Sequence, residues 1–200
     1  MTAPMYVPRF FVRQKITLMV NRYQIFAANP DGSESNQLLA FAQQKRMKLK
    51  EEVIFYADEA KTRPVFTFKA RQRLDVHAEH DVYDEFGTPL GYFSKQFGAS
   101  LLRSTWNLAG PNGLDAVGTE RRMSIAILRR IWDFIPYLGD LWVPFVFHFD
   151  FTDKATGQPV LVSERKKAIR DRYIIDVPDP RVDFRLAAAM AVALDALQSR

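Results

Sequence analysis

Short apolar runs separated by polar turns fill most of the chain and predict a protein built mainly from β-strands. The runs are rich in aromatic and β-branched residues, which favour half-buried strands. The turn at residues 29–32 (NPDG) combines a proline that fixes φ with a glycine that permits positive φ. The predicted strands cover residues 9–12, 16–20, 23–27, 38–43, 53–56, 65–69, 82–83, 90–94, 101–108, 145–151, 160–163 and 173–177.

Two predicted hairpins, at residues 82–92 and 149–162, share a plan of strand, Asp-containing turn with glycine, and strand. They indicate a weak internal repeat of hairpins. Many evenly spaced strands favour a barrel or a sandwich. Nearly every residue of 145–151 is apolar, so we expect both faces of that strand to be covered.

The end of the chain predicts a buried helix over residues 180–199. Its segment 186–194 (LAAAMAVAL) is apolar on every side, and such a helix must be buried. Nine residues span only about 14 Å, under half of the roughly 30 Å core of a bilayer. Six of the twelve residues in 186–197 are alanine, so the helix is thin. We therefore predict a helix threaded through a β-barrel.

The same helix carries recognisable end signals. Asp179 is the expected N-cap, Pro180 suits the first helical position, and Asp183 lies near the positive end of the helix dipole. Asp195 falls in the last turns, where the dipole disfavours an acid. We expect Asp195 to meet a basic partner or solvent at the mouth of the barrel.

A second, amphipathic helix is predicted near residues 120–135. Ile125, Leu128 and Trp132 recur on it at helical spacing. Pro136 and Gly139 then end it.

Composition narrows the class of protein. The length of 200 residues suits a single domain over 1–200, and 48% hydrophobic residues with 16 Phe supply its core. The absence of cysteine excludes disulfides and thiolate sites and fits the cytoplasm. No segment reaches the length of a transmembrane helix. The net charge of +5 permits contact with anionic lipid, whereas its spread along the chain disfavours nucleic acid as a partner.

Three segments carry a resemblance to a known family: residues 11–32 (FVRQKITLMVNRYQIFAANPDG), residues 81–95 (DVYDEFGTPLGYFSK) followed by STWNL, and residues 163–177 (SERKKAIRDRYIIDV) leading into DFRLAAAMAVALDAL. In this order they resemble the tubby-like C-terminal superfamily, and more closely its LURP-one-related and phospholipid-scramblase-like branch. The resemblance implies a closed barrel of about twelve antiparallel strands, whose lumen is wide enough to hold the C-terminal helix. Because tubby domains bind phosphoinositides through basic residues, it also implies a lipid-binding module.

The best candidates for an anion site are Arg165, Lys167, Arg170 and Arg172. Alternate residues of a strand share a face, so Lys167 can join Arg165, and Arg170 can join Arg172. Such clusters bind phosphate head groups by charge and by forked hydrogen bonds from arginine. The alternative is a solvated barrel wall on which neighbouring acids balance the charge.

The candidates for a partner or membrane surface are Trp132, Phe134, Tyr137 and Trp142. Aromatic residues beside arginines suit a membrane interface or a protein partner. They equally suit a helix packed across one end of the barrel.

Motifs for catalysis, metals and cofactors are weak. His77 and His80 would share a helix face, but their segment is predicted as strand and turn, which separates the rings. The chain has neither a G-x-S-x-G nucleophile motif nor a glycine-rich phosphate loop. We therefore expect a non-enzymatic binding module without metal or cofactor. Its ligand would be an anionic lipid head group or a phosphate compound, with peripheral membrane contact. The alternative is a protein-interaction scaffold that docks a partner through residues 125–147.

Overall fold

The computed structural model describes residues 5–16, 20–45, 52–71, 79–96, 105–121, 148–166 and 172–198. These residues form twelve β-strands and a C-terminal helix, which confirms the predicted mainly β fold. The elements are β1 (Arg9–Ile16), β2 (Val20–Ala28), β3 (Glu34–Lys45), β4 (Glu52–Tyr56), β5 (Pro64–Ala70), β6 (Glu79–Asp84), β7 (Pro89–Gln96), β8 (Thr105–Gly110), β9 (Leu114–Glu120), β10 (His148–Asp153), β11 (Pro159–Lys166), β12 (Arg172–Asp176) and α1 (Phe184–Gln198).

The strands form a closed antiparallel barrel. Each strand pairs with its neighbours in chain order, and β1 also pairs with β12. This closing pair places Arg9 opposite Asp176 and Arg13 opposite Arg172. Closure leaves none of the described strands with an unpaired edge.

The two ends of the barrel differ in their connections. Short turns at residues 29–33, 57–63, 85–88, 111–113 and 154–158 lie at one end, here called the turn end, where the chain also enters α1. At the opposite end, here called the far end, the described residues stop on either side of every connection between strands.

The helix α1 fills the lumen. All residues of 186–194 are buried, as the apolar pattern predicted. The wall approaches the helix closely at Gly91, whose φ is 142°. A Cβ atom at Gly91 would lie 2.9 Å from Cδ2 of Leu186 and 2.4 Å from the carbonyl oxygen of Ala109. The alanine-rich helix is therefore matched to a narrow space.

The predicted start of this helix at Pro180 is wrong, because α1 begins at Phe184. Asp183 is the cap, and its Oδ1 accepts the backbone N–H of Arg185 at 2.9 Å. Asp179 instead closes a turn by accepting the backbone N–H of Arg181 at 2.9 Å. The chain must cross the rim of the barrel before it can enter the lumen. Asp179 therefore stabilises the turn at the rim, and Asp183 caps the helix.

The start of the second predicted helix is also wrong. Glu120 is the last residue of β9, a strand that the sequence did not predict. Its inward residues include Ala116 and Gly118, which are too small to give a clear apolar alternation, so the strand signal is weak. The rest of that predicted helix lies outside the described residues.

The strand β10 differs from the prediction as well. Phe149 and Phe151 are buried, while His148 and Asp150 are only partly buried. Only one face of the described strand is therefore fully covered, and the other face carries the polar side chains.

The predicted repeat corresponds to two matched hairpins, β6–β7 and β10–β11. Asp84 and Asp153 each begin the turn and accept backbone N–H groups from it. An arginine holds each hairpin from outside: Arg71 binds the carboxylate of Asp81, and Arg121 binds that of Asp150. The structure therefore uses one hairpin design twice.

Candidate functional site

The structure separates the predicted anion-binding residues. Arg165 lies on β11 and Arg172 on β12, but on opposite faces of the sheet. Lys167 and Arg170 lie outside the described residues, so their place in the group stays a prediction. The predicted surface residues Trp132, Phe134, Tyr137 and Trp142 also lie outside the described residues, and the partner-docking alternative remains a prediction.

Arg165 belongs to the lumen side of the wall. It stands directly opposite Tyr173, which is buried, and residues opposite each other on paired strands share a face. Its guanidinium carbon lies 6.0 Å from the centre of the Tyr173 ring. Arg165 therefore lines the far end of the barrel and does not join Arg172 on the outer surface.

Arg172 belongs instead to a group of outward-facing cations on four adjacent strands. It stands opposite Lys166 on β11 and opposite Arg13 on β1. One step further along β1, Lys15 stands opposite Arg22 on β2. We call these five residues the basic face. Opposing residues in antiparallel strands are about 4.5–5.5 Å apart at Cα, so three pairs of like charges are in close proximity.

Acids elsewhere on the barrel wall balance the cations. Arg9 binds Asp176 at 2.5 Å, and Arg121 binds Asp150 at 2.6 Å. On the basic face, by contrast, Lys15, Arg22 and Lys166 form no salt bridge within the described part of the chain. The basic face therefore carries an excess of positive charge within the described part of the chain.

The acid that does reach the basic face is Glu34, at the start of β3. Its Oε1 accepts a hydrogen bond from Nε of Arg13 at 2.6 Å, and its Oε2 lies 3.9 Å from Arg172. The guanidinium carbon of Arg13 also lies 4.6 Å from the centre of the Phe26 ring, which holds the arginine against the wall. Two arginines from different strands thus converge on one carboxylate.

Sequence reasoning missed Arg13, Lys15 and Arg22 as members of this site. Their positions become neighbours of Lys166 and Arg172 only when the barrel closes between β1 and β12. The available signal was the alternation of Arg13 and Lys15 in a predicted strand, which places both on one face.

The far end of the lumen holds a second set of polar side chains. Asp195 accepts hydrogen bonds from the hydroxyls of Tyr23, at 2.9 Å, and of Tyr173. Burial and the neighbouring Asp195 carboxylate raise the pKa of Tyr23 well above its ordinary value. Asp195 therefore contacts two tyrosine hydroxyls, from β2 and β12, the strands on either side of β1. The predicted basic partner or solvent beside Asp195 stays a prediction.

Two amide side chains beside this group have polar atoms without a hydrogen-bond partner among the described residues. Gln44 and Asn21 stand opposite each other on β3 and β2, with exposed fractions of 4% and 8%. Within the described structure, both polar atoms of the Gln44 amide and Oδ1 of Asn21 form no hydrogen bond. Each such buried group destabilises the fold by about 1–3 kcal/mol.

The described residues give no support to a metal site. His80 is buried and stacks on Phe93, with ring centres 5.2 Å apart, and His77 lies outside the described residues. Among the residues that the structure describes, no group of three or more potential ligands could hold a metal ion.

The fold places the protein in the tubby-like class, which a closed barrel of twelve antiparallel strands around a buried C-terminal helix defines. The family model described as LURP-one-related matches residues 38–195 of the chain. The chain therefore belongs to the LURP-one-related family. The finer assignment to a scramblase-like branch stays a prediction.

A search of curated proteins gives no match. Across the described ranges, no helix combines the length and apolar character that a membrane crossing requires.

Proposed function

We propose that this LURP-one-related protein is a non-enzymatic binding module whose basic face recognises phosphate-bearing anions at a membrane surface. The proposal depends on one observation: cations stand opposite cations on four adjacent strands. Like charges placed directly opposite each other destabilise a sheet, so such an arrangement indicates an anionic ligand.

The guanidinium and ammonium groups of the basic face suit a phosphate ligand. Arg172 and Arg13 can each offer a planar fork of N–H donors to phosphate oxygens, and Lys166 adds a point charge beside them. The side chain of Arg172 is 49% exposed and that of Arg13 is 36% exposed, so both can be reached from solvent. Basic clusters of this kind gain about 1 kcal/mol per cation near an anionic bilayer.

We revise the residues proposed for this role. Arg172 stays in the proposed site, with Arg13, Lys15, Arg22 and Lys166 added from the geometry. Lys167 and Arg170 follow Lys166 in the chain and remain candidates for the same site. Arg165 leaves it, because it faces the lumen.

Vesicle co-sedimentation tests the proposal. We expect binding to vesicles that contain anionic lipid and not to neutral vesicles, with the bound fraction falling as salt rises. Lys166→Gln should weaken this binding several-fold, because each cation contributes about 1 kcal/mol.

Lys61→Gln is the matched control. Lys61 is exposed on a turn at the turn end, and within the described residues it forms no salt bridge, so the same charge is removed outside the basic face. Equal binding to neutral and anionic vesicles would exclude the proposal. Equal losses in the two variants would show that net charge alone, and not the basic face, drives binding.

A further inference from the structure

Glu34 occupies the point at which Arg13 and Arg172, two of the three arginines of the basic face, converge. Its carboxylate oxygens lie 2.6 Å from Nε of Arg13 and 3.9 Å from Arg172. The side chain of Glu34 is only 13% exposed, far less than either arginine. It is therefore enclosed by the cations that a ligand would have to reach.

The backbone holds Glu34 at this place. Asn29, in the preceding turn, donates from its side-chain amide to the carbonyl oxygen of Glu34 at 3.3 Å. Glu34 also stands opposite Ala28 in the sheet. Because the carboxylate is tethered in this way, it competes with any anion at a constant and high local concentration.

We propose that Glu34 is an internal pseudo-ligand that sets a charge threshold for the basic face. This inference rests on the proposed function. A singly charged phosphodiester that displaces the Glu34 carboxylate only replaces one negative charge by another, so it gains little binding free energy. A phosphate monoester, which carries a charge between about −1.5 and −2 near neutral pH, outcompetes the carboxylate. The basic face therefore selects phosphate monoesters over phosphodiesters.

The test compares two kinds of vesicle with matched surface charge. One kind contains phosphatidic acid, a phosphate monoester, and the other contains phosphatidylglycerol, a phosphodiester. We expect the wild-type protein to prefer phosphatidic acid by about three- to tenfold, the scale of one surface ion pair. Glu34→Gln removes the charge and retains an oxygen acceptor for Arg13. It should raise binding to phosphatidylglycerol by a similar factor and so reduce the preference.

Glu85→Gln is the matched control, because Glu85 pairs with Arg63 on turns at the turn end. It removes the same charge and should leave the preference unchanged. Thermal unfolding of both variants verifies that they are folded. If Glu34→Gln proves unstable, Arg13→Lys provides the second variant. It keeps the positive charge but loses the Nε–H group that Glu34 accepts, so the preference should again fall.

Soluble glycerol 3-phosphate distinguishes a lipid head group from a free phosphate. Competition with vesicle binding would show that the phosphate monoester itself is recognised. If glycerol 3-phosphate does not compete but the preference for phosphatidic acid vesicles is retained, recognition requires the lipid surface. Both results support the charge threshold set by Glu34.

An unchanged preference in folded Glu34→Gln, with wild-type binding intact, would overturn the inference and leave the proposed function standing. Absence of binding in both proteins would overturn the proposed function and the inference together. Binding by Glu34→Gln alone would also overturn the inference, because a phosphate monoester would then fail to displace the carboxylate of the wild-type protein.

Discussion

The turn end and the far end of the barrel both contain buried polar side chains, but these side chains differ in their hydrogen bonding. At the turn end, Asp153 and Asp183 are almost fully buried, and each accepts backbone N–H groups and binds an arginine. At the far end, Gln44 and Asn21 are also buried, and each has polar atoms that find no partner within the described ranges. The comparison shows that the turn end is optimised for stability, while the far end carries polar groups that stability alone does not explain.

The largest expected change in the free energy of unfolding concerns the apolar packing at the turn end. Phe184, at the entry of the helix, packs edge-on against Phe10 with ring centres 5.2 Å apart, and lies 6.3 Å from Phe66. Phe184→Ala should lower the free energy of unfolding by about 3–5 kcal/mol, because it leaves a cavity among aromatic rings. Urea unfolding followed by tryptophan fluorescence measures this change.

Phe86→Ala is the control for the same substitution at an exposed position, since Phe86 is 85% exposed on the β6–β7 turn. It should change the free energy of unfolding by less than about 0.5 kcal/mol. Similar losses in the two variants would contradict the view that the turn end is the stabilising part of the lumen.

A smaller effect of opposite sign is expected at the far end. Gln44→Leu removes a buried amide whose polar atoms have no partner in the described structure, and should raise the free energy of unfolding by about 1 kcal/mol. Gln43→Leu, one position along the same strand and facing outward, should stay within about 0.5 kcal/mol. A marked loss of stability in Gln44→Leu would mean that the amide is engaged in solution, and the contrast between the two ends would then fail.

The smallest expected effect is a difference between the two ends in how their contribution to stability depends on pH. The hydrogen bond from Arg181 is the main cause that lowers the pKa of Asp153 to about 2 from 3.8. The stabilisation that this pair provides is complete above pH 3.8 and is lost as the pH falls towards 2. Asp153→Asn should therefore flatten the acid limb of the stability profile.

The far end should respond to alkali. Burial, with Asp195 beside it, raises the pKa of Tyr23 above 10.0, so the folded state keeps a proton that the unfolded chain releases. Stability should fall as the pH rises above 10, and Tyr23→Phe should remove that part of the loss. Urea unfolding between pH 9 and 11 measures it. An unchanged alkaline limb in Tyr23→Phe would show that another group controls it.

The fold was readable from the sequence because its two signals are local. The alternation of apolar residues in strands such as β2, and the uninterrupted apolar segment of α1, depend only on neighbouring positions. The predicted element boundaries were wrong where the local sequence signals were ambiguous. Asp179 and Asp183 both have cap chemistry, and only the rim of the barrel decides between them.

The site was less readable because it depends on closure. Arg165 and Arg172 are close in sequence, yet the register of β11 against β12 sends them to opposite faces. Arg13 and Arg172 are far apart in sequence and become direct neighbours. The pattern of charges within each strand can be predicted from a single sequence. The register between strands that are distant in sequence cannot, because it is set only when the complete barrel has formed.

The pairing of β1 with β12 also bears on how the protein is made. Arg9 and Asp176 are 167 residues apart, so the first strand waits for almost the whole described chain before its outer edge is paired. During synthesis on the ribosome, β1 and its neighbours present an open sheet edge and an empty lumen, both of which favour aggregation. The helix that fills the lumen is translated after all twelve described strands. Folding to the closed state is thus a late event in the life of the nascent chain, and chaperones that shield open strand edges are expected to govern its yield.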